Sequence, residues 1–224
     1  FSEALKPNSN FPMGALASLQ DLYLHKNQIG DEGMQAFSTA ISSGSLGSLS
    51  ILELGRNQIS DDGMKAFSAA LSSGSLASLK ELILFDNQIG DAGMIAFADA
   101  IKPTDEIPMG ALGSLQELYL DCNQIGDEGM KAFSSALSSG ALASLQKLYL
   151  NHNQIGDAGM IAFAEALKPT DESPMGALAS LTLLRLDYNQ IGDAGMIAFS
   201  EALKPNSNFP MGALASLTQG PWRY

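Results

Sequence analysis

The segment NQIGDAGMIAF occurs three times, at residues 87–97, 153–163 and 189–199. Aligning the chain on Asn-Gln-Ile places asparagines at Asn27, Asn57, Asn87, Asn123, Asn153 and Asn189, at intervals of 30, 30, 36, 30 and 36 residues. This period restricts the fold more than any single motif does. A unit of about 30 residues cannot bury an apolar face alone, so units must stack and share one continuous core. The six extra residues always enter at one place. Short units carry Ser-Ser-Gly, as in SSGSL at 42–46, and long units carry Lys-Pro, as in KPTDEIPMGAL at 102–112. Insertions at one point of each unit map to loops along one edge of a stack.

Residues 1–19, FSEALKPNSNFPMGALASL, recur unchanged as residues 199–217. Both ends therefore lie in the same phase of the repeat, and neither carries the polar cap that usually closes a solenoid. The expectation is one repeat domain over residues 1–217, with a non-repeat tail, TQGPWRY, at 218–224. The chain starts at Phe1 rather than Met and shows no secretory leader, which reads as a processed or partial product.

Within each unit the leucines follow L-x-x-L-x-L-x-x-N, as in Leu19, Leu22, Leu24 and Asn27, or Leu145, Leu148, Leu150 and Asn153. The L-x-L alternation predicts a strand with inward leucines. The Asn falls where the chain must turn, and its amide is expected to bond the backbone of its own unit and of the next. Asp-x-Gly-Met-x-x-Phe follows. Asp31 reads as a helix N-cap, with a helix over 32–41. Met34, Phe37, Ala40 and Ile41 would form one buried stripe, as would Met160, Phe163, Ala166 and Leu167. Gly44 ends the helix in a short unit, and Pro103 or Pro169 follows it in a long one. Strand, turn and helix then repeat, giving a parallel sheet inside a curve and helices outside.

Six consecutive L-x-x-L-x-L-x-x-N-x-I units resemble the leucine-rich repeat family. The helix with Gly-Asp-x-Gly-Met after each strand resembles its ribonuclease-inhibitor-like subfamily, also found in intracellular receptors of innate immunity. The resemblance covers about residues 1–217. It implies an α/β right-handed horseshoe or arc, with the sheet on the concave face and helices on the convex face. It also implies binding of proteins or peptides on the concave sheet. Two features depart from the subfamily. These units are longer, and irregular loop lengths replace two alternating helical repeat types. The family has no general catalytic residue to carry over, and a fold alone does not fix a ligand.

Side chains between and after the leucines should point away from the core. The column inside L-x-L reads Tyr23, Glu53, Ile83, Tyr119, Tyr149, Arg185. The next reads His25, Gly55, Phe85, Asp121, Asn151, Asp187, and the one after it Lys26, Arg56, Asp86, Cys122, His152, Tyr188. Core columns barely change while these do. Four of the five tyrosines, both histidines and the only cysteine fall here. Tyr and Arg are the types enriched at interface hot spots. The expected protein-binding face therefore comprises Tyr23, His25, Glu53, Arg56, Ile83, Phe85, Tyr119, Asp121, Tyr149, His152, Arg185 and Tyr188. Drift of unconstrained duplicates would instead leave mostly small polar residues.

Net charge is −12, from 24 acidic and 12 basic residues. That field repels phosphate, so nucleic acid is not an expected partner, whereas a protein with a basic patch is. The acidic loop segments TDE at 104–106 and 170–172 lie on the edge and read as solvated faces. No apolar stretch approaches the length that spans a bilayer, so direct membrane insertion is not expected. A single cysteine and no Asn-x-Ser/Thr site suit an intracellular, reducing compartment, cytoplasmic or organellar.

No catalytic, metal or cofactor site is expected. His25 and His152 lie four units apart. Cys122 and His152 share a column one unit apart, close enough to meet, but no third ligand or oxyanion hole accompanies them. Gly-Asp-x-Gly lacks both the P-loop lysine and the dinucleotide G-x-G-x-x-G context. The expected function is a protein-binding scaffold. The alternative is a structural accessory subunit of a larger assembly, held by its edges or packed end to end through uncapped ends.

Overall fold

The computed structural model describes residues 16–170, 176–205 and 214. Six three-residue strands alternate with six helices. The strands are β1 Asp21–Tyr23, β2 Ile51–Glu53, β3 Glu81–Ile83, β4 Glu117–Tyr119, β5 Lys147–Tyr149 and β6 Leu183–Arg185. The helices are α1 Asp31–Ser42, α2 Asp61–Leu71, α3 Asp91–Ile101, α4 Asp127–Ser138, α5 Asp157–Leu167 and α6 Asp193–Leu203. All strands are parallel and lie in chain order in one open sheet, and each helix packs on the next. The predicted tail at 218–224 and the segment before residue 16 lie outside the described residues.

Register follows from the leucines. Leu22, Leu52, Leu82, Leu118, Leu148 and Leu184 are successive partners across the sheet. Both leucines of L-x-L are fully enclosed in the four middle units, as Leu82 and Leu84 show, whereas Leu22, Leu24, Leu184 and Leu186 are half-buried. The helices contribute the expected stripe: Met64, Phe67, Ala70 and Leu71 from α2, and Met160, Phe163 and Leu167 from α5. Each fully buried Leu, Met or Phe contributes about 1.5–3 kcal/mol of apolar transfer. Neighbouring units share this core, so an interior unit is more stable than an end one.

Two polar ladders lock the units together, running in opposite directions. The asparagines reach back. Asn87 Oδ1 accepts from Ile59 N at 3.2 Å, and its Nδ2 donates to Leu54 O and Leu84 O at 3.1 Å each. Asn57, Asn123, Asn153 and Asn189 do the same. The bonded neighbour is thus the preceding unit, not the following one that the sequence suggested. Asn27, in the first described unit, donates to the Leu24 and His25 carbonyls of its own unit, with no other partner among the described residues, and is exposed.

The aspartates reach forward. Asp31 was expected to cap its own helix, but the N-cap residue of α1 is Gly30, with extended backbone and no side-chain cap. The Asp31 carboxylate instead accepts from Ser60 N, Ser60 Oγ and Gly63 N of the next unit, at 2.8, 2.6 and 2.9 Å. Asp61, Asp91, Asp127 and Asp157 each bind two amides at the start of the following helix. These are orphan donors at the positive end of a helix dipole, where a carboxylate fits best. Burial raises the pKa of Asp31, but the bonds from Ser60 and Gly63 outweigh it and hold the carboxyl below its usual range. Close approach demands glycine. A Cβ on Gly129 would sit 2.7 Å from Asp91 Oδ1 and 3.2 Å from Asp91 Cα.

Candidate functional site

The face of the sheet opposite the helices carries the variable columns. Tyr23, Glu53, Ile83, Tyr119, Tyr149 and Arg185 are register partners in one row, as the L-x-L spacing predicts. Tyr119 and Tyr149 stack, with centroids 4.3 Å apart and planes at 9°. A second stack joins His152 to Tyr188, at 4.1 Å and 8°. Tyr23 and Tyr188 are the most open tyrosines described, at 55% and 73% exposure.

An ionic network lies beside this row. Tyr119 Oη donates to Glu117 Oε2 at 2.6 Å, and Lys147 Nζ donates to Glu117 Oε1 at 2.8 Å. Burial alone would raise the Glu117 pKa, yet these two bonds hold its carboxyl below the usual range. Tyr119 is pushed well above the ordinary phenol range by burial and by the bonded Glu117. Elsewhere His25 Nδ1 lies 3.3 Å from Glu53, Arg56 lies 3.2 Å from Asp86, and Arg185 binds Asp187 through two hydrogen bonds of 3.0 and 2.9 Å.

One row escaped the sequence reading. Asp21, Ile51, Glu81, Glu117, Lys147 and Leu183 open the strands and pair in register. They lie two residues before the Tyr119 row, so period-two alternation extended by one step finds them. Glu81 in this row has its pKa raised, first by burial and then by Glu117, Asp21 and Glu53.

The second variable column projects less than expected. Gly55 and Asn151 are buried, and Phe85 is half-buried. A Cβ on Gly55 would meet Phe85 Cε1 at 2.4 Å, so the ring lies flat over the glycine rather than reaching outward. Arg56 then covers that ring, its guanidinium carbon 5.8 Å from the centroid. The third column lies past the strand. Lys26, Arg56, Asp86, Cys122, His152 and Tyr188 all have φ of 54–55°, a left-handed turn that favours Gly or Asn, yet it holds six other side chains.

Cys122 and His152 do not pair. The histidine ring faces Tyr188, and Cys122 is a free thiol. Burial, then Asp121 and Asp86, push that thiol pKa up, the reverse of what a nucleophile requires. Among the described residues no cluster of His, Cys, Asp and Glu could hold a metal ion, and no helix is long and apolar enough to cross a membrane. The edge loop at 104–106 is exposed, while the second, at 170–172, lies mostly outside the described residues.

Repeating strand–turn–helix units with an inward leucine ladder and an asparagine ladder define an open leucine-rich-repeat solenoid. A family model described as Leucine Rich repeat matches residues 15–38, 48–68, 75–98, 114–134, 141–164 and 177–200, more than half of the sequence. The chain belongs to the leucine-rich repeat family. No curated protein matches it. Among solved structures it is similar to a chain of the octameric complex of Latrophilin 3, Unc5D and FLRT2 (LRR), with 20% identity over 88% of this chain and 55% of that one and a TM-score of 0.43. It is also similar to an internalin (inlF) from Listeria monocytogenes, with 23% identity over 87% of this chain and 62% of that one and a TM-score of 0.31. The chain thus spans less than two thirds of the length of either.

Proposed function

We propose that the chain is a protein-binding scaffold that engages its partner through the exposed sheet face. The observation that carries this reading is the pair of aromatic stacks, Tyr119–Tyr149 and His152–Tyr188, on adjacent units of one surface. Flat rings held against each other have little rotamer freedom left to lose on binding, and Tyr is enriched at hot spots. Leucine-rich repeat proteins commonly mediate such contacts, and one similar chain occurs in a multiprotein complex. The helix after every strand supports the ribonuclease-inhibitor-like subfamily. The charge of −12 supports a partner with a basic patch, and a lone free cysteine supports a reducing compartment.

The test is affinity capture with the full chain, identification of the bound protein, and a repeat with Tyr119→Ala/Tyr149→Ala. The double variant should keep its far-UV circular dichroism and weaken the partner by about 2 kcal/mol or more, near thirtyfold in Kd. Unchanged affinity refutes the sheet face as the docking surface.

A further inference from the structure

The sheet face holds one buried acceptor that no described residue satisfies. Asn151 is only 6% exposed, and its Oδ1 has no hydrogen-bond donor. The fold does not require an asparagine there. The same column carries Gly55 and Phe85 in other units, and Leu150 before it supplies the core contact. Alternation turns the Asn151 side chain toward the sheet face. Beside it stands Asp121, on the adjacent unit, held there by the bond from Cys122 N to Asn151 O at 3.0 Å.

Asp121 is an unpaired carboxylate on this face. Asp86 is paired with Arg56, Asp187 with Arg185, and Glu117 with Lys147. Asp121 is half-buried and in no ion pair among the described residues. Arg185 attracts it from a distance but is committed to Asp187 by two bonds. Burial, opposed by weaker attractions, raises the Asp121 pKa. Along the chain this pair lies between the two aromatic stacks: Tyr119 and Tyr149 precede it by two residues, and His152 follows Asn151 directly.

We propose that Asp121 and Asn151 Oδ1 seat the guanidinium of an arginine side chain of the protein partner, beside the Tyr119–Tyr149 and His152–Tyr188 rings. This rests on the sheet-face reading above and names the chemistry it recognises. A guanidinium is a planar fork of donors, so it reaches two acceptors one strand spacing apart, about 4.8 Å. It is weakly hydrated and stacks on aromatic faces, whereas an ammonium is a compact, strongly hydrated point. The acidic field of the whole chain steers such a group toward the face.

The experiment titrates the isotopically labelled full chain with N-acetyl-arginine amide, N-acetyl-lysine amide and N-acetyl-citrulline amide, followed by nuclear magnetic resonance. The arginine probe should give saturable shifts at the Asn151 side-chain amide and the Cys122 backbone amide, and the lysine and citrulline probes markedly weaker ones. Asp121→Asn should weaken the arginine probe about tenfold or more, as loss of a charge-assisted bond does, while raising the urea midpoint of the free protein. A purely structural aspartate would lower that midpoint. Asn151→Gly, which copies the residue at position 55, should fold and also weaken the probe. An arginine probe no tighter than the other two, or one indifferent to Asp121→Asn, overturns the assignment. If the captured partner depends on Tyr119 and Tyr149 but not on Asp121, only the arginine seat fails. If it ignores the tyrosines as well, the sheet-face reading fails with it.

Discussion

Asp91→Ala isolates what one forward aspartate contributes. Asp91 Oδ1 accepts from Gly126 N at 2.7 Å and from Gly129 N at 2.8 Å, both partly buried at the start of α4. Truncation leaves two helix-end donors without an acceptor, and water reaches them only in part. A bond to a charged group contributes about 1.5–3 kcal/mol, and a lost cap costs about 1 kcal/mol. Partial rehydration reduces the sum, leaving an expected cost of about 2–4 kcal/mol. Asp91 also sits in the first turn of its own helix, where a carboxylate contributes about 0.5 kcal/mol through the dipole. Asp193→Ala is the control. It holds the same place in α6 but bonds no following amide among the described residues, so its expected cost is that dipole contribution alone. Asp91→Asn keeps an acceptor and should fall between, at about 1 kcal/mol. Urea unfolding followed by circular dichroism measures all three, and amide hydrogen exchange should accelerate at Gly126 and Gly129 in Asp91→Ala. Equal costs for Asp91→Ala and Asp193→Ala would refute the forward ladder as a source of stability.

Two further outcomes are expected. Ser68 Oγ is buried without a partner, and the equivalent helical position holds Ala98 and Ala164. Ser68→Ala should therefore stabilise the chain by about 1 kcal/mol in the same urea assay, and a loss of stability would reveal an unrecognised bond. The raised pKa of Glu81 means that its contribution to stability is present below the ordinary glutamate value of 4.5 and is lost as pH rises through the higher folded value. Glu81→Gln should thus raise stability at pH 7, by about 0.5 kcal/mol after solvent screening, with the gain absent below pH 4.5. A gain equal at both pH values would contradict the sign.

Much of the candidate site was legible because alternation is a local rule. Once Leu22 and Leu24 point inward, Tyr23 must point outward, and the shared period brings Tyr119 beside Tyr149. The same rule, carried one step back, would have reached Glu117 and Lys147. What it could not supply was depth. The placement of Phe85 depends on the missing side chain at Gly55, one unit away, and so does the reach of Arg56 over the ring. The turn after each strand was legible from its Asn, but its left-handed backbone was hidden, since the residues that adopt it are neither Gly nor Asn.

The sequence by itself determined the unit, its period and the division between core and variable face. Those follow from which residues recur, and recurrence needs no coordinates. Only the tertiary structure decided the direction of each polar tie. Asparagine turning back and aspartate reaching forward span neighbouring units whose spacing along the chain is 30 or 36 residues, and a carboxylate at a helix start looks like a cap for that helix until the next helix is seen beside it. It also decided that Asp121 and Asn151 stand side by side without a counter-ion or a donor among the described residues, because that depends on which neighbours Arg56, Lys147 and Arg185 had already taken.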